Sequence, residues 1–150
     1  MAVHVLALLG RKNGEPVCSE VLATSINTNP VVVRRLLRAL QEAKLVETRK
    51  GAGFGSRLSR PAHTIDLGQV FRAVECETPF AMPRRKPNAR CAVGKSIGAA
   101  LEGIFGSARQ AMEGDLARTS LAEVLAIVEQ GARAGQAGTP KGQATRAAVV

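Results

Sequence analysis

The chain has 150 residues and carries 21 Lys and Arg against 12 Asp and Glu, a formal net charge of +9 at pH 7. This length is enough for one compact domain with an appendage, and the positive excess favours a polyanionic partner, usually nucleic acid and less often an anionic membrane. With four Phe and no Trp or Tyr, the core must consist of Val, Leu, Ile and Ala, which predicts a mainly helical protein, and the lack of a run of about 20 apolar residues argues against a membrane span.

The first elements in chain order are two helices joined by a polar loop. Residues 2–9 predict a short helix that Gly10 ends; this apolar N-terminus lacks a basic region and a small-residue cleavage site and is not expected to be a signal peptide. Ser19 is predicted to N-cap a second helix, SEVLATSI. The side chains expected to face inward from it are Val21, Leu22 and Ile26.

The third helix carries the strongest functional signal. In NTNPVVVRRLLRAL (27–40), Asn29 is a favourable N-cap and Pro30 occupies the first helical position, so a helix is predicted from Pro30 to about Lys44. At about 100° per residue, one face holds Val33, Leu36, Leu37 and Leu40, and the other holds Val31, Arg34, Arg35 and Arg38. Two helices joined by an Asn-rich turn, with a cationic outer face on the second, predict a helix-turn-helix that places this helix in the DNA major groove.

A hairpin is predicted next. Two β-prone runs, at 45–49 and 57–59, enclose KGAGFGS, a glycine-rich tip flanked by basic side chains. We interpret it as a wing that contacts the DNA backbone or the minor groove. GAGFG also invites interpretation as a phosphate-binding loop, but a strand follows it, so no helix N-terminus would hold the phosphate.

The second half of the chain is less basic. Residues 1–60 hold ten basic and four acidic side chains, whereas residues 91–130 hold three and five, which indicates a scaffold or an interface. Thr64 is predicted to cap a fourth helix over 65–75, and a long helix with a narrow apolar stripe is predicted from about Cys91 to Leu116. Ser120 and Glu123 form a capping box for the last helix.

These segments resemble the Rrf-two family of bacterial winged-helix transcriptional regulators, in particular its YwnA-like branch. The similarity lies in VCSEVLATSINTNPVVVRRLL, RKGAGFGSRLS, IDLGQVFRAVE and PNARCAVGKSIGAAL, which span most of residues 3–130. The resemblance implies a homodimer held by the long helix and an operator with dyad symmetry. The expected organisation is a winged helix-turn-helix domain at 1–75, a loop at 76–90, a dimerisation helix and a C-terminal helix at 91–130, and a disordered tail at 131–150.

Two sets of site residues follow. DNA contacts are expected from the start and outer face of the third helix and from the wing, at Thr28, Asn29, Pro30, Val31, Arg34, Arg35, Arg38, Arg49, Lys50, Phe54, Ser56 and Arg57. The dimer interface is expected at the apolar stripe of the long helix, at Val93, Ile97, Leu101, Ile104, Phe105, Ala108 and Met112.

The cysteines bear on metal binding and regulation. Cluster-binding members of the family carry three cysteines in a short loop before the dimer helix, whereas that loop here has only Cys91; because a cluster normally needs four ligands, we expect no iron–sulfur centre, other metal or cofactor. Cys18 and Cys76 are distant in sequence, and the odd, widely spaced set is typical of the reducing cytoplasm. Cys91 is a candidate redox sensor, since a helix start and the basic loop before it favour a thiolate; the alternative is an inert residue packed at the helix start.

The leading hypothesis is a sequence-specific DNA-binding repressor. The alternative is a winged-helix module used mainly for protein–protein or RNA contact, which the salt dependence of binding and its sensitivity to competitor DNA would distinguish. A separate alternative for Arg34, Arg35 and Arg38 is that they form an ordinary solvated helix face. An enzyme is not expected, because the sequence shows no Ser/His/Asp grouping, metal-ligand spacing or pair of carboxylates placed for acid–base catalysis.

Overall fold

The structure, a computed structural model, describes residues 1–49, 54–74, 88 and 90–137. For residues 135–137 it describes the backbone only. The chain order is α1 (Ala2–Arg11), α2 (Ser19–Ile26), α3 (Pro30–Glu42), β1 (Val46–Arg49), β2 (Gly55–Leu58), a 3₁₀ turn (Ala62–Thr64), α4 (Leu67–Val74), α5 (Ala92–Leu116) and α6 (Leu121–Ala137). The predicted fold class, mainly α with a small β-hairpin wing, is confirmed. The centre of the wing tip and most of the predicted loop at 76–90 lie outside the described residues.

An aliphatic core joins the first four helices, the hairpin and the start of α6. Its side chains with at most 2% exposure are Val5, Leu6, Leu9, Leu22, Ala23, Val33, Leu40, Leu45, Val46, Ile65, Val70 and Leu121. Every one is Ala, Val, Leu or Ile, which agrees with a chain almost without aromatic residues. Burial of this apolar surface is the main force that holds α3 and the hairpin in fixed positions.

The turn between α2 and α3 sets the angle at which α3 leaves the body. Asn27 ends α2 in the left-handed conformation, with φ of 55°, a backbone conformation that Asn tolerates better than most residues. The backbone N–H of Thr28 then donates to the carbonyl of Ala23 at 3.0 Å. Asn29 caps α3 as predicted, because its side chain accepts a hydrogen bond from the Val31 N–H at 2.8 Å, and Pro30 follows in the first turn.

Two predictions about α2 are wrong. Cys18, not Ser19, is its N-cap residue, because the Ser19 hydroxyl donates to Glu20 instead of capping the backbone. Val21 does not face inward: its side chain is 55% exposed, while Leu22 on the neighbouring position is fully buried. With only eight residues, α2 buries a narrow stripe, and Val21 falls outside it.

The cap of α4 also differs from the prediction. The carboxylate of Asp66 accepts a hydrogen bond from the Gln69 N–H at 2.8 Å, which is the geometry of an N-cap. The Thr64 hydroxyl donates instead to the Pro61 carbonyl at 2.8 Å and closes the 3₁₀ turn. The helix therefore begins at Leu67, two residues later than the predicted start.

The hairpin is pinned to the body by a third extended segment. β1 and β2 are antiparallel, with Glu47 opposite Arg57 and Thr48 opposite Ser56. On its outer edge, Ser56 exchanges two backbone hydrogen bonds with Val17, each 2.9 Å. The base of the wing is thus tied to the segment that precedes α2, which fixes the wing relative to the helix-turn-helix.

Helix α5 is joined to the body at its C-terminal end. Glu113 accepts from Arg109 on the same helix at 2.8 Å and from Arg72 on α4 at 3.4 Å, and Arg109 followed by Arg72 lowers the pKa of Glu113. Gly68 on α4 allows the close approach of the two helices, since a Cβ there would lie 3.0 Å from the Glu113 carbonyl.

The last helix confirms one prediction and corrects another. Ser120 and Glu123 form the predicted capping box: the Glu123 carboxylate accepts from the Ser120 N–H at 2.6 Å, and the Glu123 N–H donates to the Ser120 hydroxyl at 3.2 Å. The helix then runs through Ala137, so the prediction of a disordered tail from 131 is wrong for 131–137. The three alanines of GARAGQA favour continued helix. Residues 138–150 lie outside the described residues.

Candidate nucleic-acid interface

Helix α3 has two chemically distinct faces, as predicted. Val33, Leu37 and Leu40 are buried against the core and Leu36 is half-buried. The opposite face leaves Val31, Arg34, Arg35 and Arg38 exposed. Val32, which the sequence did not single out, is also 44% exposed. The first two turns of α3 therefore present apolar and guanidinium groups together, which are the groups that contact thymine methyls, guanine edges and phosphates in a major groove.

The turn before α3 contributes residues to the same surface. Asn29 is exposed, while Thr28 and Pro30 are half-buried. The Asn29 side-chain oxygen is engaged as the helix cap, which leaves its amide N–H₂ as the group able to donate to a ligand. A helix N-terminus also favours an anion such as a phosphate.

Arg34 is held by the first turn of α2. Its Nε donates to the Ser19 hydroxyl at 3.2 Å, and its Nη2 donates to the Glu20 carboxylate at 3.2 Å. The Ser19 hydroxyl in turn donates to the same carboxylate at 3.1 Å, so the three side chains form a closed ring of hydrogen bonds. The backbone N–H of Glu20, then Ser19 and Arg34, lower the pKa of Glu20 below its usual value.

Sequence reasoning missed Ser19 and Glu20 as members of this surface. They precede Arg34 by 15 and 14 residues and lie on a different helix, so no helical periodicity connects them to it. Only the crossing of α2 and α3 brings them together. In contrast, Arg35, Arg38 and Arg49 form no ion pair within the part of the chain that the structure describes, and all three are exposed.

The wing places the aromatic side chain of Phe54 beside α3. Phe54 is 60% exposed at the start of β2. Arg57 is half-buried and pairs with Glu47 across the hairpin, so part of its charge is neutralised by a neighbour. Lys50, another predicted wing contact, lies outside the described residues.

Ser56 is a correction to the predicted site. Its side chain is 2% exposed, and its hydroxyl hydrogen-bonds to the Thr48 hydroxyl at 3.0 Å. Side chains alternate between the two faces of a strand, and the pairing with Val17 covers this position. Ser56 therefore supports the wing, and its buried hydroxyl is not exposed for the predicted DNA contact.

A groove separates α3 from the wing. It has a volume of about 430 Å³, and its walls include Arg34 and Arg38 on one side and Thr48 and Phe54 on the other. The groove is open to solvent between the two elements predicted to contact DNA. It offers cationic and hydroxyl groups to any strand of phosphates that lies between them.

The predicted dimer stripe lies on α5, and four of its seven residues are exposed in the single chain. This helix of 25 residues has no buried residue. The exposed fraction is 67% for Val93, 37% for Ile97 and 61% for Ile104. Ala108 is also exposed, and Leu101, Phe105 and Met112 are half-buried. A long helix with an apolar stripe of this kind normally packs against another surface.

The described residues do not fit an iron–sulfur cluster. Cys91 is exposed and is the N-cap residue of α5, and Cys18 is half-buried before α2. No group of three or more His, Cys, Asp or Glu among the described side chains could hold a metal ion; Cys76 lies outside them. Within the same ranges, no helix has both the length and the apolar character needed to cross a membrane.

Comparison with known proteins identifies the family. The Rrf2 family model, described as an iron-dependent transcriptional regulator, matches residues 1–127. A Bacillus subtilis (strain 168) protein named as a candidate HTH-type transcriptional regulator, YwnA, is 39% identical over 125 residues, which cover 83% of this chain and 92% of the relative. A crystal structure of a candidate DNA-binding protein is 39% identical, covers 83% of this chain and 95% of that chain, and has a TM-score of 0.66. CymR, the global cysteine regulator of B. subtilis, has the same fold, with 20% identity, 84% and 91% coverage and a TM-score of 0.59. The chain therefore belongs to the Rrf2 (Rrf-two) family of DNA-binding transcriptional regulators.

Proposed function

We propose that this protein is a sequence-specific repressor that binds a palindromic operator as a homodimer in the bacterial cytoplasm. The observation that carries the proposal is the exposed face of α3, which places Arg34, Arg35 and Arg38 beside Val31 at the start of a capped helix. In this arrangement α3 enters the major groove, and the arginine forks donate to guanine edges or phosphates. The wing lies over the adjacent backbone, with the groove beside α3 facing the phosphates.

The dimeric part of the proposal rests on α5. Its exposed apolar stripe matches the seam of a two-helix interface, and a two-fold axis through that seam would relate two copies of α3. Two recognition helices related in this way read two half-sites of inverted sequence, about one helical turn apart. The alternative, a module for protein or RNA contact, does not require this symmetry.

Substitution of Arg35 tests the role of the helix face. Arg35→Ala is expected to weaken binding to a selected duplex by about 1–3 kcal/mol and, if the side chain reads a base, to relax the preference at one position in each half-site. Arg57→Ala should weaken binding to all duplexes more evenly, because a cation in the wing contacts the DNA backbone and reads no base. Affinities are measured by fluorescence anisotropy over a range of salt concentrations.

A matched control is Arg118→Ala, which removes one exposed cation between α5 and α6. It is expected to leave the affinity for DNA nearly unchanged. Equal losses for Arg35→Ala and Arg118→Ala would mean that binding follows net charge alone and that α3 is not the recognition helix.

Thiol redox control through Cys91 is the regulatory part of the proposal. The side chain is exposed, not packed, at the N-cap of α5. A peroxide would transfer one oxygen atom to the thiolate, giving a sulfenate and water, and would place a larger polar group where α5 begins. Peroxide is expected to weaken operator binding by wild type but not by Cys91→Ser. If peroxide affects neither protein, or both equally, Cys91 is not a switch.

A further inference from the structure

The Arg34 guanidinium has two edges that can each donate two parallel hydrogen bonds. One edge consists of Nε–H and one hydrogen of Nη2; the other consists of Nη1 and the second hydrogen of Nη2. Ser19 and Glu20 occupy the first edge, at 3.2 Å each. Among the described residues, Nη1 has no hydrogen-bond partner, so the second edge is available to a ligand.

The available edge matches guanine. Its two parallel donors are spaced to reach O6 and N7 of that base, which is the commonest specific contact in the major groove. Arg34 lies in the second turn of α3, and its side chain is 59% exposed, with Glu20 at 55%. Neither side chain is covered by the body of the protein, so a duplex can approach the arginine while the carboxylate remains in contact with it.

From this geometry we infer that Glu20, together with Ser19, is a positioning residue. It directs the second edge of Arg34, formed by Nη1 and Nη2, at a guanine in each half-site. The inference rests on the proposed function, because it needs α3 in a major groove. It adds to that function the base that is read and a residue outside α3 that determines the preference.

The physical reason is conformational entropy. An exposed ion pair of this kind stabilises the fold very little. However, an arginine that is already ordered loses less rotamer freedom when it binds a base, an advantage worth about two- to tenfold in affinity per side chain. The carboxylate also competes with phosphates for Arg34, which disfavours its use as a backbone contact on non-operator DNA.

The test is base preference in a Glu20→Ala variant of the full chain. A selected operator duplex and a panel with each half-site base pair changed compete for the protein, and relative affinities are measured. Glu20→Ala is expected to lower the preference for guanine at one position about two- to tenfold, with preferences elsewhere unchanged. Arg34→Ala should lose preference at the same position, and the double variant should show no further loss there.

Two further variants sharpen the result. Ser19→Ala removes the partner of Nε and should show a smaller loss at the same base pair. Glu15→Ala removes an exposed carboxylate that forms no ion pair within the described ranges, and it should change no base preference. Unchanged melting temperatures establish that each variant is folded.

Two outcomes would overturn the inference while leaving the proposed function intact. One is a Glu20→Ala variant with the base preferences of wild type, although Arg34→Ala loses one. The other is a uniform gain in affinity for every duplex, which would mean that Glu20 only repels phosphates. If wild type shows no base preference at any position, the proposed function itself is wrong and the inference is wrong with it.

Discussion

Replacing Ile104 with aspartate is expected to dissociate the proposed dimer and to reduce operator binding to the level of non-specific DNA. Ile104 is 61% exposed in the single chain and lies within the apolar stripe of α5. Burial of an isoleucine side chain is worth about 1.5–3 kcal/mol, and a two-fold interface contains two copies of each residue. Together with the cost of burying a carboxylate, the loss corresponds to a dissociation constant at least about a thousandfold higher.

Sedimentation velocity over a range of concentrations measures this effect. The matched control is Gln110→Asp, which adds the same charge at an exposed position of α5 that lies on the opposite face of the helix from the stripe. It is expected to leave the dimer intact. Ile104→Asp protein that remains dimeric at micromolar concentration would show that α5 is not the interface.

Replacing Gly55 with alanine is expected to lower the free energy of unfolding by about 3 kcal/mol and to weaken operator binding through displacement of the wing. Gly55 has φ of 148°, a conformation that is strained for residues with a side chain. A Cβ at this position would also lie 2.9 Å from the Val17 backbone nitrogen and 3.0 Å from the Pro16 carbonyl carbon. The new methyl group would therefore push against the backbone that pins the hairpin.

Gly14→Ala separates the two contributions. Gly14 also has a positive φ, 89°, but a Cβ there would have nothing within 4 Å. Only backbone strain applies, and the expected loss is about 1–2 kcal/mol. Chemical denaturation of both variants gives the difference. Equal losses would show that the contact between the wing and the segment before α2 tolerates a side chain.

Local chemistry made much of α3 and α6 predictable. Asn29 and Pro30 mark the start of α3, and the 3.6-residue period assigns its buried and exposed faces. The pair Ser120 and Glu123 marks the start of α6 in the same way. In each case the signal lies within four residues of the feature that it predicts, so no tertiary contact has to be known.

The errors arise where distant segments decide the outcome. Ser56 was predicted to contact DNA because it lies beside the wing tip, but its pairing with Val17, 39 residues earlier by the sequence numbers, buries it. Ser19 is predicted to cap α2, but its hydroxyl donates to the adjacent Glu20 and also accepts from Arg34 of the next helix. Neither contact has a periodic signature, and each exists only once the core has brought the segments together.

The most direct test of the proposed function is selection of duplexes from a random pool by the full chain, followed by sequencing. If α3 reads the major groove from a two-fold dimer, the enriched sites will be inverted repeats whose half-sites lie about one helical turn apart, and Arg35→Ala will recover sites with a relaxed position in each half. Recovery of no common sequence, or of a single site without dyad symmetry, would contradict it.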